Sequence, residues 1–366
     1  MDPGTLSAAK VIDGTGQIAC PGFVDSHTHL LFAGSRENEL YLRAGQVPYM
    51  EIMNQGGGLF STVKAVRSAS EEQLTRNGLH YLDKALCMGI TTIEIKSGYG
   101  LDFQTEEKML RVIQSLNNLH PVDIVPTFLV HAVPGDRERE AYLDEVIHRM
   151  IPAFRDYAQW FDIFVEKGVF DLEESERLIK AAQDNGYHVG IHTNQMHDIG
   201  GVGLAVSTGV RHVDHLEILS DEDTRKLKES PSLYAVFLPG AEAFVFSTNV
   251  GQIQKLLEIP ERLVLSTDFN PGSSPTLSPL LIMSLAVLRY RLNDPFLIIN
   301  GFTKNPADML HMHDRGILKK GCIADIVCLD LDNFDQFPYL GTLPVIRRVI
   351  KGGQVFDYPV PPPSSP

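Results

Sequence analysis

The sequence predicts an α/β protein, a TIM-like (β/α)8 barrel carrying a small β-sandwich domain built from the two ends of the chain. Three observations predict it. Eight apolar runs of strand length recur with amphipathic helical stretches between them, the pattern of βα units building a parallel sheet. Polar residues able to do chemistry collect where those runs end, which is where a barrel builds its active site. Beyond about Gly316 the texture changes to short β-like pieces separated by glycine turns. A chain of 366 residues holds both parts, since one α/β barrel absorbs roughly 250 residues.

At the N-terminus, Val11-Ile12 and Ile18-Ala19 flank Asp13-Gly14-Thr15-Gly16. That is a hairpin pattern, expected to pair with the C-terminal β pieces and to assign residues 1–20 to the small domain. The barrel is expected over residues 21–315. Its strands are read as Gly22 to Leu30, Ile90 to Lys96, Val122 to Val130 and Phe161 to Glu166, then His188 to His192, His212 to Leu216, Tyr234 to Leu238 and Leu263 to Asp268. Among the helices, Asp171 to Gly186 opens with an acidic turn, shows apolar Leu172, Leu178, Ile179 and Ala182, and stops at Gly186. A long insertion after the first strand contains Gly56-Gly57-Gly58 and reads as a mobile loop beside the barrel mouth. A phosphate cradle is the alternative, but no Gly-Lys-Ser/Thr follows. Residues 316–358 return to the small domain through Ala324 to Leu329 and Val345 to Val355, with turns at Lys320-Gly321 and Lys351-Gly352-Gly353. The proline-rich 359–366 cannot supply a ladder of donors and is expected to be a disordered tail.

Composition bounds the function. Hydrophobic residues at 43% and charged residues at 21% suit a chain with a sizeable core, which excludes disorder as the main state. A net charge of −14 repels polyanions and argues against nucleic acid as a partner. Cys20, Cys87, Cys322 and Cys328 are scattered, with no CxxC pair and no regular secreted framework. No run reaches the roughly 18 apolar residues of a spanning helix, and the first residues lack an apolar core behind a basic flank. The expectation is a cytoplasmic protein with no membrane partner; a homodimer is compatible with the sequence.

The strand ends carry the chemistry. The first ends in His27-Thr28-His29, and side chains two apart on a strand share a face, so both imidazoles can enter one space. The fifth ends at His192, the sixth carries His215 and the eighth terminates in Asp268. Any one of these histidines reads equally well as a hydrogen-bonded core residue. Four strands delivering such donors to one rim point instead to zinc or another divalent transition metal. A position left open for water then makes a hydroxide nucleophile near neutral pH. Asp268 can bind the metal or hold the water's proton, and His215 can hydrogen-bond that water and shuttle the proton onward. The implied reaction is hydrolysis at an electrophilic carbon. The histidines at 80, 120, 148, 188, 197, 212, 311 and 313 lack this placement and read as structural or surface residues.

Pro21-Gly22-Phe23-Val24-Asp25-Ser26-His27-Thr28-His29 resembles the opening strand of the amidohydrolase superfamily. More narrowly, the chain resembles the imidazolonepropionase family of histidine degradation. The stretches that carry this are Phe32 to Arg36, Glu94 to Gly100, Phe164 to Phe170, His215-Leu216-Glu217 and Ser266 to Pro275. The resemblance runs from about Val11 to Val355 and implies a barrel hydrolase with one divalent metal, zinc or iron. It implies metal ligands at His27, His29, His192 and Asp268, with catalytic roles for His215 and Asp268. Substrate contacts fall on Arg36, Tyr99, His131, Gln195, Asn270, Gly272 and Ser273. The implied reaction opens 4-imidazolone-5-propanoate to N-formimidoyl-L-glutamate. Arg36 suits the substrate's carboxylate as a forked partner and Tyr99 as a hydroxyl donor. Without the family, Arg36 reads as a solvated charge and Tyr99 as a turn aromatic. Asn270-Pro271-Gly272-Ser273 is expected to offer backbone N–H groups to substrate oxygens, though it reads equally as a β-turn and helix cap. Gln195, where the family places Gln or Glu, cannot be a base. Two departures stand out: members of the family begin with several dozen more residues that add early strands to the small domain, so a truncated N-terminal part is expected. The turn before His131 is also one residue shorter. The other readings are a cyclic amidohydrolase or aminohydrolase acting on a different ring, and a catalytically silent scaffold.

Overall fold

The computed structural model describes residues 11–47, 51–52 and 56–358, so the segment 359–366, read as a tail, lies outside the described residues. Strand β1 (Ile18–Pro21) enters a small sheet, and the next eight strands build a barrel. They are β2 (Phe23–Asp25), β3 (Ile90–Lys96), β4 (Asp123–Val130), β5 (Trp160–Val165), β6 (His188–Thr193), β7 (His212–His215), β8 (Tyr234–Phe237) and β9 (Leu263–Leu265). All eight are parallel and stand as neighbours in chain order. The seam between the last and first is bridged where Asp268 N donates to His27 O at 3.0 Å and His29 N to Phe269 O at 2.9 Å. The expected (β/α)8 barrel is therefore formed, each strand helix-connected to the next as parallel pairing requires.

Alternate positions of the strands face inward. Near the strand starts, Val24, Val125, Trp160, Tyr234 and Val264 pack with Met309 into a dry plug, so the barrel interior is a core and not a pore. Above this plug the inward positions turn polar: Glu94, Lys96, Asp162, His192, Asp214 and Ser266 are all buried.

Helix Leu172–Asp184 follows from its ends. Asp171 accepts from Glu174 N at 2.9 Å while Glu174 accepts from Asp171 N at 3.0 Å, a reciprocal cap that satisfies two of the helix's orphan donors. Leu178, Ile179 and Ala182 are its buried stripe. The insertion after β2 differs from the expectation of a loop. It contains helices Glu37–Ala44, Leu59–Ser68 and Glu71–Cys87, and Gly58 N is pinned by the buried Glu39 carboxylate at 2.7 Å. The amphipathic spacing of those stretches outweighs the glycines between them.

The small sheet runs β1, β10 (Ile326–Leu329), β11 (Ile346–Lys351) and β12 (Gln354–Asp357), all antiparallel. Gly352 and Gly353 turn β11 into β12 with φ of 57° and 86°, a hairpin turn that a Cβ would strain. Among the described residues it is one four-stranded sheet and not the two layers of a sandwich. The expected hairpin at the N-terminus is also corrected. Val11 and Ile12 are not in a strand, Val11 is 85% exposed, and β1 pairs with β10 through Ile18↔Leu329 to Pro21↔Ile326. The Asp13 turn closes on itself, with Thr15 N donating to Asp13 Oδ1 at 2.9 Å, so the chain bends without laddering. Lys351 fastens this sheet to the barrel by donating to Asp325 of its own sheet at 2.9 Å and to Asp123 of β4 at 2.7 Å. Among the described residues no helix is long and apolar enough to cross a membrane.

Candidate active site

The strand-end histidines converge. His27, His29 and His192 each offer a ring nitrogen, and these atoms lie within 4.8 Å of one another, all three rings buried. Asp268 Oδ1 sits 3.5 Å from His27 Nε2 and 3.4 Å from His29 Nε2. His27 Nε2 and His192 Nε2 are buried with no hydrogen-bond partner. Such atoms cost about 1–3 kcal/mol each if left so, and a cation is the partner that suits several imidazole lone pairs and one carboxylate together. Burial, with Lys96 behind it, holds His27 well below the usual histidine range, and burial with the facing His192 does the same to His29. Both rings are therefore neutral and their lone pairs are open to a metal.

The outward nitrogens of His27 and His192 are fixed, whereas Nδ1 of His29 is buried without a partner. His27 Nδ1 lies 2.6 Å from Asp214 Oδ2, and His192 Nδ1 lies 3.0 Å from Asp162 Oδ1. Burial pushes Asp268 up to about 6 against the pull of His215 and His192. Burial works on Asp162 in the same sense, but His192 and Lys96 outweigh it and hold that carboxyl well below the usual range. The segments carrying His27 and Asp268, at the seam of the first and last barrel strands, are stitched by Asp25. Its carboxylate accepts from Ser266 Oγ, from Thr267 N at 3.0 Å and from Thr267 Oγ1 at 2.6 Å, while Ser266 Oγ also accepts from His27 N at 2.8 Å.

His215 stands beside this cluster, its ring 5.4 Å from His192 and 5.9 Å from His27. Burial disfavours its charge, yet Glu217, 3.2 Å from its Nδ1, raises it to about 9. His215 (φ 87°), Leu216 (φ 63°) and Asp268 (φ 51°) occupy the left-handed region, where non-glycine residues carry about 1–3 kcal/mol of strain each. Strict strand alternation would put His215 on the face opposite Asp214. The left-handed turn at the end of β7 re-aims it into the mouth.

The expected substrate contacts divide. His131 stacks on His29 at 5.4 Å with 22° between the rings, and Tyr99 lies 5.9 Å from His29 and 5.7 Å from His131. Arg36 reaches the same rim but is forked onto Glu39, through Nε at 2.9 Å and Nη2 at 2.8 Å. A Cβ on Gly272 would come within 2.3 Å of Arg36 Nη1, so any larger residue there must displace the guanidinium. The loop after β9 does not offer the free N–H groups expected of it. Asn270 Oδ1 accepts from Gly272 N at 2.8 Å and Ser273 N at 2.6 Å, and Asn270 Nδ2 donates to Asp268 O at 2.6 Å. Asn270 thus folds the loop on its own amide, and Ser273 Oγ approaches Asp268 Oδ2 at 3.4 Å. Gln195 is half-buried on the turn three residues past His192. Sequence reasoning missed Asp162, Asp214 and Glu217. The available signal was a carboxylate at an inward position of an apolar run, which needs a buried partner.

The Amidohydrolase family model matches residues 57–356. An imidazolonepropionase from Alkaliphilus metalliredigens is 40% identical over 351 residues, covering 94% of this chain and 83% of the relative. The chain belongs to the imidazolonepropionase family. With that family it is a hydrolase acting on the C–N bond of a cyclic amide. A second imidazolonepropionase, from Geobacillus thermodenitrificans, is 40% identical over 356 residues, covering 96% of this chain and 83% of its own. Solved structures share the fold at low identity. A 5-methylcytosine deaminase from Klebsiella pneumoniae superposes with a TM-score of 0.75 at 18% identity, covering 99% of this chain and 92% of its own. An atrazine chlorohydrolase from Arthrobacter aurescens, complexed with zinc, gives 0.69 at 16%, covering 97% and 86%.

Proposed function

We propose that this chain hydrolyses 4-imidazolone-5-propanoate to N-formimidoyl-L-glutamate in histidine degradation, with His27, His29, His192 and Asp268 holding one divalent metal, zinc or iron. The observation that carries this is the set of buried, unpartnered imidazole nitrogens gathered with one carboxylate. A divalent cation bound there polarises water and the ring carbonyl. The chain's own groups do the rest. Oxygen from water forms a bond to the ring carbonyl carbon, the cyclic C–N bond breaks, and the leaving nitrogen takes a proton.

Asp268, whose carboxylate stands beside His27 and His29 in the cluster, accepts the proton from water. His215, kept charged by Glu217, donates a hydrogen bond to the developing negative oxygen. His131 and Tyr99 bound the space over His29 where a flat ring fits. Arg36, forked on Glu39 at the rim, is the guanidinium suited to the substrate carboxylate, and Gly272 leaves room for it. Gln195 and Ser273 complete the rim, with Asn270 as the brace of the loop that carries Gly272 and Ser273. The four free cysteines fit the cytoplasm as the working compartment.

The test follows loss of imidazolone propanoate absorbance with purified protein, with and without a chelator. Turnover that stops on chelation and returns with zinc or iron supports the reading. Turnover indifferent to chelation removes the metal from it, and no turnover in metal-loaded protein removes the substrate.

A further inference from the structure

Two chains of buried polar groups run from the imidazole cluster down into the barrel, and none of their members reaches the substrate space. In the first, the Asp214 carboxylate is shared. Its Oδ2 is 2.6 Å from His27 Nδ1 and its Oδ1 is 2.7 Å from His212 Nδ1. A fully buried carboxylate has only accepting oxygens to offer, so both rings must carry their proton on Nδ1. That leaves the lone pair of His27 on Nε2, the atom that faces the cluster without a partner. His212 is itself wedged. A Cβ on Gly190 would lie 2.0 Å from its ring, and the Trp160 ring lies 5.5 Å away, tilted by 41°. In the second chain, Asp162 Oδ1 meets His192 Nδ1 at 3.0 Å while its Oδ2 accepts from Lys96 Nζ at 2.7 Å. Lys96 is 1% exposed and is held from the other side by Glu94 at 2.9 Å. His192 Nε2 is again the unpartnered atom.

Neither His212 nor Lys96 is needed to fill space with this chemistry. Apolar side chains at inward strand positions pack at lower desolvation cost, as they do one layer below. What the polar groups supply is direction. A carboxylate held at both oxygens cannot rotate, so the ring it grips cannot rotate or change tautomer either.

We infer that Asp214 and Asp162 are positioning residues of the metal centre, and that His212 and Lys96 act on it through them by locking each carboxylate onto the outer nitrogen of a ligand imidazole. The inference rests on the metal reading above and concerns how tightly, and in which tautomer, the chain holds the ion.

The experiment compares zinc affinity by chelator competition for wild-type protein and for Asp214→Asn, His212→Phe and Lys96→Met. Each is also loaded with cobalt(II) to record the visible spectrum of the centre. His212→Phe keeps a flat ring against Gly190 and removes both ring nitrogens, the Nδ1–H donor included. The remote His120–Asp83 contact, 3.3 Å apart on the outside of the barrel, supplies a control in Asp83→Asn. Zinc affinity is expected to fall about 10- to 100-fold in the three variants, with an altered cobalt spectrum and no change in the control. Unchanged affinity and spectrum in folded His212→Phe and Lys96→Met overturn the inference while leaving the metal reading standing. Wild-type protein that takes up no zinc removes the metal reading itself. Where a variant does not fold, zinc-loaded wild-type protein labelled with 15N-histidine decides. Protons on Nδ1 of His27, His192 and His212 are expected, and a proton on Nε2 of His212 would sever the first chain.

Discussion

Gly272 and Arg36 illustrate how a single hydrogen in place of a methyl decides what a side chain can reach. Gly272→Ala places a carbon against Arg36 Nη1, and the guanidinium must leave the rim or the loop must open. The expected result is KM raised about tenfold with kcat and metal content retained; an unchanged KM would detach Arg36 from the substrate carboxylate. Glu217 acts on charge. Because it raises the His215 pKa to about 9, His215 stays protonated through neutral pH and loses its proton only on the alkaline side. Glu217→Gln removes the raising influence, so the alkaline limb of the pH profile of kcat/KM is expected to move to lower pH. A limb that stays put identifies another group. His29→Ala removes a ligand outright, and metal analysis is expected to show its loss. The histidines at 27, 29 and 192 were legible because each ends an apolar run on the inward parity. The direction of His215 was not, since it depends on a left-handed backbone that no residue type there announces. The self-bonded loop at Asn270 was half legible: its turn chemistry was in the letters, but not that the amide consumes the donors meant for substrate.

Elements were read best where two signals agreed. The helix Leu172–Asp184 had an acidic start, an apolar stripe and a terminal glycine, and its reciprocal cap sits where those signals meet. Asp171→Ala is expected to lower stability by about 1 kcal/mol, read by urea denaturation with turnover unaffected at low denaturant; no shift would mean the cap contributes nothing. Strands β3 and β6 match their apolar runs almost to the residue, while β2 and β9 end three or more residues before theirs. Beyond Asp25 and Leu265 the chain leaves the ladder, and the polar segments Ser26 to His29 and Ser266 to Asp268 stay buried, so the runs read on past the strands' ends. The insertion after β2 was misread through its three glycines, since Glu39 supplies from a distance the carboxylate that pins Gly58.

At the scale of the molecule, the barrel and the small sheet meet at a charged contact. Lys351 is 7% exposed and joins Asp325 to Asp123, which Arg315 also grips. Removing Lys351 leaves the buried Asp325 carboxylate without its cation, while the part-exposed Asp123 keeps Arg315. Lys351→Met is therefore expected to cost about 3 kcal/mol and to broaden the thermal transition as sheet and barrel uncouple. A melt identical to wild type would show that the sheet is held by β1 and its apolar packing alone. The two-part architecture was legible in the change of texture near Gly316, and the partnership of distant ends was legible in the hairpin-like first residues. That the described part of the small domain is a single sheet was not legible, because counting strands says nothing of how many layers they form.

The stitching by Asp25 has a consequence for biosynthesis. Its partner Ser266 lies 241 residues downstream, so a ribosome delivers the first two imidazoles long before the carboxylate that completes their set. On the proposed metal reading, the complete set of His27, His29, His192 and Asp268 forms only after translation has passed the last barrel strand. Polypeptides arrested before Leu263 are expected to emerge metal-free, and tight zinc retention by such arrested products would show that the centre assembles without its seam.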